Sequence, residues 1–310
     1  MKPTIVVIAG PTAVGKTTIS IKVASRIHGQ IVSCDSMQLY KYMDIGSAKP
    51  TKEQLAAIPH HLIDIINPKE SFSVAIYQQL AKEAINGIFK QNQTPVITGG
   101  TGLYLNALLY DMDFGANQGD TDYRNQLFNI AETQGNDALF ERLRDMDPNA
   151  AERIHPNNVK RVVRAMEAIH FNGAGLADFA SVNRKTKDYD AILIGLTRDR
   201  RELYQRIEDR VDMLMDEGLL NEVKSLKNMG FTSADIAMKG IGYKELLDYL
   251  AGDYDLPMAV DLIKKNTRHY AKRQMTWFKR YPEMQWFNLS EDQTEEHSME
   301  RIMSWLNKKR

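Results

Sequence analysis

The chain has 310 residues, of which 43% are hydrophobic and 26% charged, and its formal net charge is zero. These values are typical of a soluble globular protein, and the length allows one large α/β domain with an insertion or two modest domains. The single cysteine, Cys34, excludes a disulfide framework and a cysteine-based zinc site. No apolar run approaches the roughly 18 residues that a membrane helix needs. The first predicted strand begins after three residues, which leaves no room for a signal peptide, so we expect a cytoplasmic protein.

The first motif is a glycine-rich loop between a predicted strand, 4–9, and a predicted helix, 18–27. The loop matches G-x-x-x-x-G-K-[ST] and consists of Gly10, Pro11, Thr12, Ala13, Val14, Gly15, Lys16 and Thr17. Strand, glycine loop and helix in this order are the context that a phosphate-binding loop requires. Its N–H groups can turn inward as an anion nest, which the helix N-terminus reinforces. The loop therefore predicts a polyphosphate, either a nucleotide that donates a phosphoryl group or a diphosphate that departs.

Further strands and helices alternate over the first hundred residues, which predicts a parallel sheet with helices on its faces. Strands are expected at 30–34 and 95–98, a helix at 74–91 between them, and another helix from Leu103. In open α/β sheets, ligands bind beyond the carboxyl ends of the strands. Three such ends carry residues 10–17, 35–38 and 99–101, and we expect them to converge on one site.

The segment after the second strand carries polar side chains that suit several roles. Asp35 is a candidate magnesium ligand or general base, and the alternative is a helix N-cap or turn residue. Gln38 offers the amide donor and acceptor that can read the edge of an adenine. Neither residue decides between these roles by itself.

The pattern changes after Asp111. Residues 112–188 lack a convincing strand and contain helical stretches broken by glycine and proline, which predicts a small all-helical insertion. The core resumes with an apolar strand at 191–196, followed by helices at 199–216, 218–229, 242–251 and 257–280. The expected organisation is a P-loop core of two parts, 1–111 and 189–310, around an insertion domain, 112–188.

Several segments resemble the tRNA dimethylallyltransferases, also called tRNA isopentenyltransferases or IPP transferases. In chain order they are 10–17, 35–38, 43–50, 59–64, 99–104, 155–157, 240–245, 267–274 and 277–278. The resemblance runs in order to about residue 280. It implies a P-loop NTPase-like α/β core, and a monomer is the simplest expectation for the oligomeric state. The implied reaction transfers a dimethylallyl group from dimethylallyl diphosphate to N6 of adenosine 37 in tRNA.

The resemblance also implies roles for the core residues. Asp35 is similar in position to the family's general base, and such help is worth about 10²–10⁴-fold. Thr101 contacts the target nucleotide and assists at the reaction centre, with a helix N-cap as the alternative reading. The loop amides, Lys16 and a Mg²⁺ ion on Thr17 stabilise the departing diphosphate. Arg210 is the candidate for a second clamp, with a surface ion pair as its alternative.

A second set of residues is expected to bind tRNA. It comprises Asp35, Ser36, Met37, Gln38, Thr101, Tyr123, Arg124, Lys160, Arg161, Val162, Val163, Arg164, Arg268 and Lys272. Lys160 stands where the family usually has glutamine, so a phosphate contact is expected there. The run 264–280 contains seven basic residues and no carboxylate, which suits a polyanionic partner. Trp277 and Phe278 are expected in the core.

Three alternative functions share parts of this pattern. A P-loop small-molecule kinase would have the same first loop and core but not the Asp-Ser-x-Gln segment, the insertion or the basic helix. A prenyltransferase acting on free adenine nucleotides has less need for a basic insertion. A catalytically silent RNA-binding module is disfavoured because Lys16, Thr17, Asp35 and Thr101 are all present.

Overall fold

The computed structural model describes residues 2–112, 121–172 and 184–310. Within these ranges, one parallel sheet contains six strands in the order β3-β2-β4-β1-β5-β6. The strands are β1 (Thr4–Ala9), β2 (Gly29–Ser33), β3 (His60–His61), β4 (Thr94–Gly99), β5 (Asp190–Thr197) and β6 (Gln285–Asn288). This confirms the predicted α/β fold with a parallel sheet.

Thirteen α-helices lie in the described ranges. The first four are α1 (Lys16–Arg26), α2 (Lys52–Ala57), α3 (Val74–Lys90) and α4 (Gly102–Leu109). Four more follow in the middle of the chain: α5 (Thr121–Gln134), α6 (Asn136–Met146), α7 (Pro148–Arg153) and α8 (Val159–Asn172). The last five are α9 (Arg200–Asp216), α10 (Leu219–Asn228), α11 (Tyr243–Ala251), α12 (Leu256–Phe278) and α13 (Glu295–Asn307).

The chain divides into two compact units. The larger unit comprises Met1–Leu109 and Thr186–Arg310, and the smaller unit comprises Tyr110–Lys185. The sequence placed these boundaries at 112 and 188. In its described part, the smaller unit consists of α5 to α8.

The centre of the larger unit is the strand trio β4-β1-β5. Residues Ile5 to Ile8 of β1 are at most 1% exposed, because helices cover both faces of the sheet. Val6 pairs with Val96 of β4 and Ile192 of β5. Such unbroken apolar strands are typical of parallel sheets buried on both faces, which is why β1 and β5 were recognisable from sequence.

Four strands and α-helices of the larger unit escaped the sequence prediction, and one of them is the six-residue helix α2, which buries none of its residues and so shows no apolar face. β3 has two residues, too few for any periodic pattern, and pairs with β2 at one edge. β6 pairs with β5 at the other edge and is short, with alternating burial. The apolar face of α13 buries Met299, Ile302 and Leu306, a helical spacing that the prediction did not include.

The smaller unit has its own core. Leu139, Leu143, Val162 and Ala165 are fully buried where α6 meets α8. Their spacing places them on one face of each helix, so each amphipathic helix buries its apolar face. Among the described helices of both units, none has the length and apolar character that a membrane span requires.

Gly99 offers a test of how tightly the strand ends pack. A Cβ atom there would lie 2.1 Å from the carbonyl oxygen of Cys34, which is backbone and cannot rotate away. We expect Gly99→Ala to lower the free energy of unfolding by about 1–3 kcal/mol in chemical denaturation. Gly87 in α3 is the matched control, because a Cβ there meets nothing within 4 Å. Gly87→Ala should raise stability by about 0.5–1 kcal/mol. Equal effects of the two substitutions would contradict this packing.

Candidate functional site

Two of the three predicted strand ends are joined by direct hydrogen bonds. The N–H of Cys34 donates to the carbonyl of Thr98, and the N–H of Thr101 donates to the carbonyl of Cys34, at 2.7 and 3.0 Å. The N–H of Ser36 donates to Oγ1 of Thr101 at 3.0 Å. The 35–38 segment and the second glycine turn therefore form one surface at the carboxyl edge of the sheet.

The phosphate-binding loop turns through left-handed backbone conformations at Ala13 (φ 62°) and Gly15 (φ 108°). Glycine adopts this region without a steric penalty, whereas alanine does so rarely. Gly10 is required for a different reason, since a Cβ there would lie 2.6 Å from the carbonyl oxygen of Leu196 in β5. The loop is thus held close against the end of a neighbouring strand.

Cationic side chains bind the carbonyl groups of this loop. Nζ of Lys16 donates to Pro11, Nε of Arg206 to Ala13 and Nε of Arg198 to Val14, at 2.8, 3.0 and 3.0 Å. In a trans peptide the N–H points away from the carbonyl, so the N–H groups of Val14 and Gly15 face away from the arginines. The first turn of α1 adds N–H groups without intrahelical acceptors. Such an arrangement suits an anion.

Lys16 is a half-buried cation at the centre of the loop. Burial lowers the pKa of its ammonium to about 8, and the nearby positive charge of Arg210 acts in the same direction. The carboxylate of Asp35 opposes the shift. An anion bound at the loop would therefore stabilise the charged form of Lys16.

Arg210 lies near the same carboxylate. Burial lowers its pKa, while the charges of Asp35 and Glu217 raise it. Among the hydrogen bonds and ion pairs of residues 2–112, 121–172 and 184–310, none involves Arg210. The alternative reading of Arg210 as a member of a surface ion pair therefore finds no partner in that part of the chain. Glu202, a carboxylate of the same helix, pairs with Arg198 at 2.5 Å.

Asp35 combines a turn role with an available oxygen. Its Oδ1 accepts from the N–H of Met37 at 2.9 Å, which is the turn bond of the alternative interpretation. Its Oδ2 accepts no hydrogen bond within the described ranges. The turn fixes the orientation of the carboxylate, and one oxygen is left for a proton from a bound substrate.

The hydroxyl of Thr101 is directed at Ser36 and not at the helix that follows. It accepts from the Ser36 N–H and donates to the Ser36 hydroxyl at 3.3 Å. The carbonyl of Thr101, by contrast, accepts from the N–H of Tyr104 at 3.0 Å. Thr101 therefore precedes α4 in the chain, while its side chain is hydrogen-bonded to the 35–38 segment.

The amide of Gln38 is engaged inside the protein. Oε1 accepts from the hydroxyl of Ser33 at 2.9 Å, and Nε2 donates to the carbonyl of Ala48 at 3.3 Å. These two bonds hold the loop in place and leave one N–H of the amide and one lone pair of its oxygen for the predicted contact with an adenine edge. Gln38 shapes the segment that carries Asp35.

The loop beyond this segment is anchored to α10 and α11. The carboxylate of Glu222 accepts from the N–H groups of Asp44, Ile45 and Gly46 at 2.7–3.0 Å, and from the hydroxyl of Tyr243 at 2.7 Å. Two of the segments that resemble the family, 43–50 and 240–245, therefore meet in space.

Sequence reasoning assigned no role to Gln274 and Tyr270 of α12, although both lie at the site. Gln274 is 4% exposed and bonds to the phosphate-binding loop and to the second glycine turn. A signal was present in the sequence, because Gln274 occupies the same helix stripe as the buried Ala271 and Phe278. A glutamine on an apolar stripe needs buried partners. Trp277, expected in the core with Phe278, is half-buried against Gly102.

The basic segment of the smaller unit divides into two groups. Lys160, Arg161 and Arg164 are exposed on α8, whereas Val162 and Val163 are buried in the helical core. The side chains of the two valines face the core, so a tRNA contact at these two positions would have to come from their backbone. The basic residues remain candidates for contacts with phosphates.

Tyr123 and Arg124 both interact with other side chains of the smaller unit. Nε of Arg124 donates to the buried carboxylate of Glu167 at 2.8 Å, while the ring of Tyr123 stacks on His170 with centroids 4.1 Å apart. Arg124 compensates a buried charge, and Tyr123 belongs to an aromatic cluster.

The basic run on α12 is partly neutralised by α9. Arg268 pairs with Glu208 at 2.6 Å and Lys264 pairs with Asp212 at 2.7 Å. Lys272 is exposed and forms no ion pair with residues 2–112, 121–172 or 184–310. Local charge counting along one helix missed the carboxylates that the neighbouring helix supplies.

The parallel sheet and the glycine loop at the end of β1 define the class: an α/β protein with a phosphate-binding loop. A family model described as IPP transferase matches residues 38–281. A tRNA dimethylallyltransferase of Alkaliphilus metalliredigens is 51% identical over 303 residues, covering 98% of this chain and 97% of that protein. The chain belongs to the IPP transferase family, as its motifs predicted.

Solved structures give the same result. The tRNA isopentenylpyrophosphate transferase of Bacillus halodurans aligns with a TM-score of 0.75 and 42% identity, covering 100% of this chain and 97% of that one. A eukaryotic dimethylallyltransferase, solved acting on tRNA, aligns with a TM-score of 0.81 and 27% identity. That alignment covers 97% of this chain and 78% of the eukaryotic one.

The lowered pKa of Lys16 predicts a pH-dependent affinity for inorganic pyrophosphate. Below about pH 8 the ammonium is charged, and above that pH it loses its proton and its attraction for the anion. Calorimetry from pH 6.5 to 9.5 on the wild type and Lys16→Met should give an affinity ratio that falls above pH 8. The protonation of pyrophosphate itself changes with pH in the same way for both proteins. The ratio of their affinities therefore reports only the protonation of Lys16. A ratio that stays constant to pH 9.5 would contradict the shift.

Proposed function

We propose that the protein transfers the dimethylallyl group of dimethylallyl diphosphate to N6 of adenosine 37 in tRNA. The products are N6-dimethylallyladenosine in the anticodon loop and inorganic diphosphate. The observation that carries the proposal is the placement of Asp35, with one unpaired carboxylate oxygen, beside the half-buried cations Lys16 and Arg210. The similarity to a tRNA dimethylallyltransferase and to a eukaryotic dimethylallyltransferase that acts on tRNA supports this choice of substrate.

The phosphate-binding loop holds the diphosphate of the donor. The N–H groups of Gly15 and of the first turn of α1, the ammonium of Lys16 and the guanidinium of Arg210 face the oxygens on which negative charge grows as the allylic C–O bond breaks. Charge stabilisation of this kind at a preorganised site is a large contribution to catalysis. The free guanidinium of Arg210 supports its role as the second clamp.

Thr17 suits a magnesium ion. Mg²⁺ is commonly held by one or two protein oxygens together with substrate phosphates, and the Thr17 hydroxyl in the first turn of α1 is such an oxygen. No cluster of three or more acidic, histidine or cysteine ligands occurs among the described residues, which fits an ion held mainly by the diphosphate. Such an ion neutralises charge on the leaving group.

Asp35 acts on the acceptor. The lone pair of the adenine N6 amine is delocalised into the ring, so the amine is a weak nucleophile. As N6 forms its bond to the allylic carbon, the electron pair of the C–O bond leaves with the diphosphate. The N6 proton passes to the carboxylate of Asp35, and Thr101 contacts the same nucleotide. General-base help of this kind contributes about 10²–10⁴-fold.

Exposed cations bind the tRNA backbone. In the smaller unit these are Lys160, Arg161 and Arg164, and in the larger unit Lys272. Contacts with phosphates position a nucleic acid, while contacts with base edges and stacking specify it. The enzyme acts as a monomer in this proposal.

The direct test uses dimethylallyl diphosphate labelled in the prenyl group. The protein is incubated with Mg²⁺ and either unmodified tRNA or AMP. Label in tRNA supports the proposal. Label only in AMP identifies the nucleotide prenyltransferase of the alternative reading, and ATP hydrolysis without prenyl transfer identifies a P-loop nucleotide enzyme.

Asp35→Asn should lower single-turnover transfer by about 10²–10⁴-fold while tRNA affinity stays within twofold. An asparagine oxygen can still accept from the Met37 N–H, so the turn survives and only the base is removed. Asp261→Asn, an exposed carboxylate on α12, is the control and should transfer at the wild-type rate. Loss of tRNA binding in Asp35→Asn that matches its loss of rate would contradict the role as base.

Removing the charges of α8 should weaken tRNA binding and flatten its salt dependence. Replacing Lys160, Arg161 and Arg164 by glutamine removes up to three phosphate contacts. The slope of log affinity against log salt should then fall by about 0.7–0.9 per contact, measured by filter binding. A triple glutamine variant of the exposed lysines Lys52, Lys90 and Lys224 controls for net charge. The same slope in both variants would show that α8 does not touch the phosphates.

A further inference from the structure

Gln274 is a buried side chain that joins two parts of the site. Its Oε1 accepts from the N–H of Thr12 in the phosphate-binding loop at 2.8 Å. Its Nε2 donates to the carbonyl of Gly100 in the second glycine turn at 3.0 Å. The partners are 262 and 174 residues away in the chain, so one amide joins three distant segments.

Each of the two peptide units that Gln274 binds is also held on its other side. The Pro11–Thr12 peptide accepts from the ammonium of Lys16 at its carbonyl. The Gly100–Thr101 peptide donates through its N–H to the carbonyl of Cys34, the residue before Asp35. Hydrogen bonds therefore run from Lys16 to the Asp35 segment, and Gln274 is the middle link.

Tyr270 lies one helical turn before Gln274. Its hydroxyl interacts with the side chains of Thr101 and Gln274, and it would lie 3.8 Å from a Cβ placed on Gly100. Burial and then the charge of Asp35 raise the pKa of Tyr270, so the phenol keeps its proton. The protonated hydroxyl of Tyr270 can therefore donate a hydrogen bond on the side of the site where Thr101 and the acceptor nucleotide meet.

The fit between α12 and the second glycine turn admits little freedom. A Cβ on Gly100 would lie 2.1 Å from Nε2 of Gln274, and one on Gly102 would lie 2.2 Å from the ring of Trp277. The turn is thus built to let the amide of Gln274 approach its backbone. Because Gln274 is 4% exposed and both ends of its amide are hydrogen-bonded to backbone, it can set a distance and not merely fill space.

We propose that Gln274 is a positioning residue that fixes the distance between the diphosphate of the donor and the nucleophile at Asp35 and Thr101, with Tyr270 supporting the acceptor side. This inference rests on the proposed prenyl transfer. Displacement at carbon needs the reacting atoms near 3–3.5 Å and in line, and a misplacement of about 1 Å costs up to roughly 100-fold in rate. One amide that bonds to both half-sites meets that requirement.

The first test replaces Gln274 by methionine, which has nearly the same shape and makes neither hydrogen bond. Single-turnover transfer should fall by about 10- to 100-fold, while the affinities for tRNA and for inorganic pyrophosphate change little. Met258→Gln makes the opposite exchange at an exposed position of the same helix and should keep the wild-type rate. A wild-type rate in Gln274→Met would overturn the inference.

The second test uses Gln274→Glu, which distinguishes positioning from packing. A protonated carboxyl can accept from Thr12 and donate to Gly100, whereas the carboxylate cannot donate and repels the diphosphate. The rate of this variant relative to the wild type should therefore rise as the pH falls from 8 to 5.5. A ratio that stays low and constant over this range would overturn the inference. This variant also keeps the test open if the methionine variant does not fold.

Tyr270→Phe removes only the hydroxyl and should lower the rate of transfer without changing the affinity for pyrophosphate. An unchanged rate would show that the Tyr270 hydroxyl has no part in positioning, and the role of Gln274 would then depend on its own variants. The wild-type chain distinguishes a failure of the proposed function from a failure of the positioning role. If it transfers no label to tRNA, the proposed function fails. If it does so and the Gln274 variants match it, only the positioning role fails.

Discussion

The structure depends on two positive charges at the carboxyl edge of its sheet, which the neighbouring carboxylates neutralise only in part. Lys16 and Arg210 are both half-buried there, and the carboxylate of Asp35 acts on both. Burial disfavours each charged form, and Glu217 offers Arg210 only further partial relief. A bound polyanion would restore the balance, which is why the loop, the helix N-terminus and the two cations point to a diphosphate.

The chemistry depends on how the neighbouring strand end is tied to this charged site. Thr101 and Ser36 bond the second glycine turn to the Asp35 segment, and Gln274 bonds that turn to the phosphate-binding loop. The leaving group and the base are thereby held by one hydrogen-bonded framework. Helix α12 supplies the link on its buried face and exposes Lys272 to solvent. One helix thus has a part in both the geometry of the reaction and the proposed binding of tRNA.

Sequence revealed the parts of this framework that have a local signature. The apolar β1 and the glycine loop are adjacent in the sequence, so each supports the prediction of the other. Asp35 and Thr101 were found because each comes shortly after the end of a predicted strand. Gln274 could not be placed in this way, since its partners lie far along the chain. The burial of Val162 and Val163 depends on which face of α8 packs on α6, and a basic run alone does not reveal that face. The pairing of Arg268 with Glu208 likewise depends on the packing of α12 on α9.

The central claim is that the loop at residues 10–17 binds a diphosphate that leaves, and that carbon is the group transferred. It is tested most directly with dimethylallyl diphosphate carrying ¹⁸O between the allylic carbon and phosphorus, incubated with unmodified tRNA. Mass spectrometry then analyses both products. The account predicts that all of the ¹⁸O is recovered in inorganic diphosphate and that one adenosine of the tRNA gains a dimethylallyl group on N6. Phosphate attached to the tRNA, or a diphosphate released without ¹⁸O, would contradict it.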